Sequence, residues 1–121
     1  MSNFSDEEVY REVGAIVSQY DILQCDLCAK AVLKWVTENR IAGKLLKLKT
    51  KYREEFILSM RLDRSGRGAN ESITTNGTHY GVEVRGLVFD NLSTEGLSRE
   101  DWVNDFSCRR GEFIVEELDG F

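Results

Sequence analysis

The chain has 121 residues, which suffice for one domain with a buried core and are too few for two. Its 41% hydrophobic and 31% charged residues are typical of a globular protein, and its net charge of −5 argues against a basic nucleic-acid-binding surface. No apolar run approaches the ~20 residues of a membrane helix. The acidic start MSNFSDEEVY also lacks the apolar segment of a signal peptide. We therefore expect a single domain over residues 1–121, synthesised in the cytoplasm, that binds neither nucleic acid nor membrane.

Two amphipathic helices are predicted in the first third of the chain. Residues 5–8 (SDEE) form a capping-box pattern, and the apolar residues behind them recur at helical spacing to about Tyr20. After a connection at 21–24, a second helix is predicted from Cys25 to about Asn39. It ends where Asn39 and Gly43 break the apolar pattern.

From Gly43 onward the pattern changes to the two-residue period of strands, and alternating apolar and basic residues predict a strand from Leu46 to Arg53. The remaining predicted elements are short: a strand at 56–62, a polar loop at 63–70, a strand at 73–75, a hairpin of 80–84 and 87–89 around Arg85-Gly86, a helix capped by Ser98 that carries Trp102, Val103 and Phe106, and a strand at 112–118. The order predicts an α+β fold, with N-terminal helices packed on a mostly antiparallel sheet.

One histidine and a cysteine at a helix start are the candidates for chemistry. Unpaired N–H groups and the dipole of a helix N-terminus lower a thiol pKa and make the thiolate available as a nucleophile. Cys25 falls in the first turn of the second helix, whereas Cys28 lies one turn further in, where burial is expected. The imidazole of His79 can take the thiol proton, and a carboxylate can orient that imidazole. Gln24 can offer its side-chain amide to a developing oxyanion.

The hairpin predicts which carboxylate this is. If Arg85-Gly86 is a two-residue turn, position 84 faces 87 and position 82 faces 89, which makes His79 and Asp90 diagonal neighbours on one face of the sheet. Gly81, opposite Asp90, leaves the space between them open. Asn91 points to the other face, so Asp90 is the preferred orienting residue. A three-residue loop would shift the register and make Asn91 the alternative.

Three blocks of sequence resemble one known family. The blocks are 24–29 (QCDLCA), 76–82 (NGTHYGV) and 88–92 (VFDNL), with Glu95-Gly96 and Trp102 following. In this order they are similar to the second papain-fold toxin family of bacterial polymorphic toxin systems. The resemblance extends over residues 21–121 and leaves the helix of residues 1–20 outside it.

The resemblance implies a papain-like fold and a Cys–His–Asp triad, in which Cys25 is the nucleophile, His79 the general base and Asp90 the orienting acid. It implies a thiol enzyme that acts on protein amide bonds as a peptidase or glutamine deamidase, within a fold class that also contains acyltransferases. It implies a protein substrate, no cofactor, and an immunity protein that neutralises the toxin. Delivery into a target cell would follow a route that the sequence does not show.

Several alternatives stay open. In papain-type peptidases the second cysteine of Cys-x-x-Cys is the nucleophile, which points to Cys28, whereas the helix start favours Cys25. Cys25, Cys28, His79 and Cys108 together have the ligand types of a Cys₃His zinc site. A third interpretation is a catalytically idle protein-binding module, whose thiols would have ordinary reactivity.

Overall fold

A computed structural model describes residues 4–64 and 72–121 of the chain. Its elements, in chain order, are α1 (Asp6–Val17), α2 (Cys25–Glu38), β1 (Gly43–Thr50), β2 (Leu58–Ser59), α3 (Met60–Arg64), β3 (Thr78–Val84), β4 (Leu87–Asp90), β5 (Ser93–Leu97), α4 (Arg99–Asn104), β6 (Phe106–Ser107) and β7 (Phe113–Leu118). Within the described ranges, no helix is long and apolar enough to cross a membrane. The expected α+β class, with helices first and an antiparallel sheet behind them, is confirmed.

Both predicted N-terminal helices are present. The α1 capping box forms as expected: the Glu8 backbone N–H donates to Ser5 Oγ at 3.2 Å, and the Ser5 N–H donates to Glu8 Oε1 at 3.1 Å. The helix ends at Val17, three residues before the predicted Tyr20. At the start of α2, the side chain of the preceding residue, Gln24, does not cap the first N–H groups. This second helix therefore presents an N-terminus without a side-chain cap at Cys25.

The main sheet has five strands in the order β5-β4-β3-β1-β7, and every pairing in it is antiparallel. The neighbouring residues Leu45 and Leu46 of β1 point to opposite faces of the sheet and both are buried, because each face has its own hydrophobic core. Leu45 packs in the first core with residues of α1 and α2. Leu46 and Leu48 pack in the second core with Trp102 of α4 and Phe106 of β6.

The hairpin between β3 and β4 has the predicted register. Val84 pairs with Leu87 and Val82 with Phe89, as a two-residue loop requires. The loop residues Arg85 and Gly86 have φ values of +47° and +85°, which is typical of the type I′ turn that matches strand twist. The alternative prediction of a three-residue loop, which would have favoured Asn91 as the orienting residue, is therefore wrong.

Several short elements differ from the predictions. The prediction of a strand over 56–62 is wrong except at two residues. Leu58–Ser59 pair with β6, and the chain then enters α3. The cause lies in the tertiary structure, because the Asp105 carboxylate accepts the Arg61 N–H at 3.0 Å and caps the start of α3. No strand forms at 73–75. Most of the loop predicted at 63–70 lies outside the described residues.

Further differences lie in the second half of the chain and at the end of β1. β5 was not predicted, since its sequence STEGL has almost no apolar alternation. Phe106 belongs to β6 and not to the helix. The first strand ends at Thr50, because the Thr50 hydroxyl donates to the Glu54 carbonyl at 2.8 Å and closes a turn where Arg53 has φ +57°.

Candidate active site

His79 lies inside the second core. Its side chain is fully buried on β3, on the sheet face shared with Leu48, its partner on β1. The imidazole stacks on the indole of Trp102 at 6.1 Å and lies beside the ring of Phe106 at 5.1 Å between centroids. Its Nε2 is 2.9 Å from Oδ2 of Asp90. The predicted diagonal pair of histidine and aspartate is thus formed across the hairpin.

Asp90, the last residue of β4, is buried and receives hydrogen bonds on both carboxylate oxygens. Oδ2 accepts from the indole Nε1–H of Trp102 at 2.9 Å and from Nη2 of Arg61 at 2.8 Å. Oδ1 accepts from Nη1 of Arg61 at 2.8 Å and from the Leu92 N–H at 3.1 Å. Burial by itself raises the pKa of Asp90, but the charge of Arg61 and the hydrogen bond and charge of His79 outweigh burial and hold that pKa well below the usual range.

The space beside Gly81 is occupied, which corrects the expectation that it is open. A Cβ at Gly81 would lie only 2.9 Å from Cζ2 of Trp102 and 2.9 Å from Cγ1 of Val88. The absent side chain therefore lets the indole lie against the strand. From this position the Trp102 N–H reaches Asp90 and completes the set of donors around the carboxylate.

Cys25 is the first residue of α2, and its side chain faces a cleft. It is 8% exposed and lines a cavity of about 380 Å³ together with Leu23, Asp26, Lys30, Ile73, Thr74, Thr75, Asn76, Thr78, Tyr80 and Phe121. Because Nε2 of His79 is bonded to Asp90, the ring nitrogen left for the thiol is Nδ1. That atom is buried and has no hydrogen-bond partner among the described residues.

The electrostatics of His79 connect these groups. Burial lowers the pKa of the imidazole, but the hydrogen bond to Asp90 and the proximity of Cys25 outweigh burial and raise the pKa to about 9. An imidazole with such a pKa holds a proton at neutral pH. The arrangement therefore suits a pair in which the imidazolium stabilises a neighbouring thiolate.

Cys28, the alternative nucleophile, lies one turn further along α2 in the first core. It is 1% exposed, and it does not line the cleft. Burial, with smaller contributions from the charges of Asp90 and Cys25, raises the pKa of Cys28 to about 12. Burial and a raised pKa both disfavour a reactive thiolate. The geometry thus favours Cys25, although which cysteine attacks stays a prediction.

Gln24 and Asn91 both contact the turn that precedes α2. Oε1 of Gln24 accepts the Asp21 N–H at 2.9 Å, and Gln24 does not line the cleft. Nδ2 of Asn91 donates to the Asp21 carbonyl at 2.6 Å, so this alternative orienting residue is bonded away from His79. Its Oδ1 is buried without a partner among the described residues. The oxyanion role of Gln24 stays a prediction.

Arg61 was not predicted as a site residue. Its side chain is only 11% exposed, and it bridges Asp90 and Asp105 through bonds of 2.8 Å. Its partners lie 29 and 44 residues away in sequence, so no local pattern identifies them. The one signal is a basic side chain inside the apolar segment 56–62 (FILSMRL), because a charge in such a segment indicates a buried ion pair.

The structure does not assemble the zinc ligand set. Sγ of Cys108 points to the Glu112 carbonyl at 3.7 Å, in the connection between β6 and β7. Across residues 4–64 and 72–121, no group of three or more His, Cys, Asp and Glu side chains is placed to hold a metal ion. The Cys₃His interpretation therefore has no geometric support.

The comparison with known families agrees with the geometry. The family model described as papain fold toxin 2 matches residues 8–107, a region that begins in α1 and contains Cys25, His79 and Asp90. No curated protein and no solved structure matches the chain. The match covers most of the 121 residues, and it confirms the expected papain-like fold. The chain therefore belongs to the papain fold toxin 2 family and is a toxin domain of the papain-like type.

Proposed function

We propose that this domain is a thiol enzyme that acts on amide bonds of a target protein through Cys25, His79 and Asp90. One observation carries the proposal. The cleft-facing cysteine at a helix start without a side-chain cap interacts with a buried histidine, and Nε2 of that histidine is bonded to a buried aspartate. This arrangement supplies a nucleophile, a base and an orienting group in the order that acyl transfer requires.

The proposed reaction starts from an ion pair, in which the proton of Cys25 Sγ already lies on Nδ1 of His79. The thiolate then attacks the amide carbon and forms a C–S bond, while the carbonyl π electrons move to oxygen. The first N–H groups of α2 stabilise this oxyanion. His79 returns the proton to the departing nitrogen, the C–N bond breaks, and a thioester remains. Water, deprotonated by His79, then releases a carboxylic acid and restores the thiol.

Asp90 acts in this scheme by fixing the imidazole. Its Oδ2 accepts the Nε2–H of His79 at 2.9 Å, which leaves the lone pair of the neutral ring on Nδ1, toward Cys25. The carboxylate also stabilises the imidazolium after proton transfer. Neither step needs a cofactor.

The polar lining of the cleft favours a substrate whose acyl group is polar. Four polar side chains on the segment before and within β3 line it, namely Thr74, Thr75, Asn76 and Thr78, and Asp26 and Lys30 of α2 line it as well. Such a surface can receive a glutamine side chain or a polar stretch of main chain. Peptide cleavage and glutamine deamidation share the thioester route and differ in the nitrogen that leaves, so both remain within the proposal.

We also propose that the domain acts inside a target cell and that an immunity protein neutralises it. Membership of a toxin family supports both statements. The simplest way to neutralise the enzyme is to cover the cleft at Cys25, so an immunity protein that binds there would block alkylation of that thiol.

Alkylation of individual cysteines tests the proposal. Iodoacetamide labelling at pH 6, with sites identified by mass spectrometry, should modify Cys25 at least about tenfold faster than Cys108. His79→Ala should remove this difference, because the imidazolium is lost. Cys28→Ala is the matched control and should leave Cys25 labelling within about twofold of wild type, since Cys28 is buried in the core. Equal labelling of Cys25 and Cys108, unaffected by His79→Ala, would contradict the proposal and favour an idle binding module.

Growth arrest tests the activity itself. Induced expression of the wild-type domain in a bacterium should stop growth, whereas Cys25→Ala and His79→Ala should not. Cys108→Ala should remain toxic, because Cys108 lies outside the cleft. Mass spectrometry of proteins from arrested cells then separates the two reactions. New protein termini indicate a peptidase, and a gain of about 1 Da at glutamine with release of ammonia indicates a deamidase.

A further inference from the structure

The carboxylate of Asp90 is bonded to two basic side chains, the imidazole of His79 and the guanidinium of Arg61. Nη1 of Arg61 lies 2.8 Å from Oδ1 of Asp90, and Nη2 lies 2.8 Å from Oδ2. This is the parallel two-bond geometry that a guanidinium makes with a carboxylate. The aspartate therefore lies between a permanently charged arginine and a titratable histidine.

Arg61 is itself fixed from the opposite side. Its Nε donates to Oδ2 of Asp105 at 2.8 Å, and its backbone N–H donates to Oδ1 of the same residue at 3.0 Å. The Ser59 hydroxyl also donates to Asp105. Nη1 has a further acceptor in Oγ of Ser93 at 2.9 Å. These bonds hold the guanidinium against Asp90 in one geometry.

We propose that Arg61 is a positioning residue of the active site, which acts through Asp90 to keep the carboxylate ionised and oriented toward His79. This inference rests on the proposed function. It assigns a role to a residue that does not line the cleft at Cys25.

The charge of Arg61 matters at the moment when His79 gives up its proton. If the imidazolium were the only cation beside buried Asp90, its loss would leave an unpaired buried charge, and the carboxylate would tend to take up the proton itself. Arg61 stays charged throughout, so the charge on Asp90 does not depend on the state of His79. The proton is then free to return to the leaving nitrogen.

Orientation follows from the same contacts. Within the described ranges, Asp90 receives five hydrogen bonds: two from Arg61 and one each from His79, Trp102 and Leu92. Rotation of the carboxylate about its Cβ–Cγ bond would break several of these bonds at once. Oδ2 therefore stays directed at Nε2, which leaves Nδ1 as the ring nitrogen available to Cys25.

The titration of His79 provides the readout, because the chain has a single histidine and its NMR signal needs no assignment. In the wild type, the protonation of Asp90 should perturb this signal only at strongly acidic pH. Arg61→Gln removes the cation and should move this acidic inflection up by about one pH unit or more. Alkylation of Cys25 at pH 5 should fall about tenfold in parallel.

Two further variants separate charge from stability. Asp105→Asn removes a negative charge while Arg61 remains, so the acidic inflection should stay in place or move down. If the variants only lost fold stability, the acidic inflection would move up in both Arg61→Gln and Asp105→Asn.

Arg61→Lys keeps the charge but not the parallel bonds, so the inflection should stay within about half a pH unit while Cys25 alkylation falls severalfold. Arg99→Gln is the matched control, since Arg99 pairs with Glu83 and Glu117 at the surface, and it should change neither readout.

A folded Arg61→Gln variant with the wild-type inflection would overturn the proposal, as would an upward shift of the same size in Asp105→Asn. If Arg61→Gln does not fold, Arg61→Lys decides the question, and wild-type alkylation in that variant contradicts a positioning role. Failure of the enzyme proposal is distinguishable from either result. In that case wild-type Cys25 is unreactive, while the inflection in the His79 signal still reports on Arg61.

Discussion

At the scale of single residues, the site is organised around the small volume beside Gly81. The absence of a Cβ there admits the indole of Trp102, which stacks on the imidazole of His79 and donates to Asp90. The indole is fully buried. Trp102 therefore stabilises both the core and the orientation of the carboxylate.

Trp102→Phe separates these two roles. We expect a loss of about 2–4 kcal/mol in the free energy of unfolding, because a buried carboxylate loses a donor and a small cavity remains beside Gly81. Urea denaturation followed by circular dichroism measures this loss. Trp35→Phe is the matched control, since that half-buried indole packs edge-on against Phe4, and it should cost less than about 1 kcal/mol. Equal losses in the two variants would contradict the role of the Trp102 N–H.

At the scale of elements, the site depends on short segments held by tertiary contacts. α3 and α4 contain five and six residues, fewer than an isolated helix needs for stability. Each begins at a side-chain cap: Asp105 accepts the Arg61 N–H, and Oγ of Ser98 accepts the Asp101 N–H at 3.2 Å. These caps place Arg61 and Trp102 against Asp90.

Ser98→Ala should therefore destabilise the domain by about 1 kcal/mol, because the first turn of α4 loses its cap. Chemical denaturation measures the effect. Ser107→Ala, at an exposed position on β6, is the control and should remain within about 0.5 kcal/mol of wild type. If Ser98→Ala also remains within that range, the helix is held by the packing of Trp102 and not by its cap.

At the scale of the whole molecule, the two buried titratable groups make stability depend on pH in opposite directions. The pKa of His79 is raised to about 9, so its contribution is complete below the ordinary value of ~6.5 and is lost as pH rises through 9. The pKa of Asp90 is lowered, so its contribution is complete above the ordinary value of ~3.9 and is lost as pH falls below it. Stability should be greatest between these limits, at about pH 4.5–6.5.

The expected loss of stability above pH 6.5 can be tested directly. Between pH 6.5 and 9 the wild type should lose at most about 3 kcal/mol in its free energy of unfolding, as the His79 imidazolium deprotonates. His79→Gln should start from a lower stability and show little of this decline, because the titrating group is absent. Urea midpoints at several pH values measure both curves. A parallel decline in wild type and variant would assign the effect to other groups.

The amino-acid sequence alone determined the elements whose signals are local. The capping box of α1, the helical stripe of α2 and the Arg85-Gly86 turn are patterns within a few residues, and all three form as expected. The turn also determined the register, because side chains alternate with a strict period of two. His79 and Asp90 could therefore be placed on one face of the sheet from the residue pattern of the hairpin.

Only the tertiary structure decided what surrounds that pair. Arg61 and Asp105 are 44 residues apart, and the Trp102 indole reaches Asp90 only because helix and sheet pack together at Gly81. The two-residue strands β2 and β6 likewise form only because they pair with each other across a long stretch of chain. β5 follows its partner β4 directly, but its five residues carry too little apolar periodicity to predict a strand. The sequence predicted that Cys28 is buried, but the tertiary structure decided that Cys25 faces the cleft. Cys25 and Cys28 differ by one helical turn, and the packing of α2 on the sheet directs the first to the cleft and the second to the core.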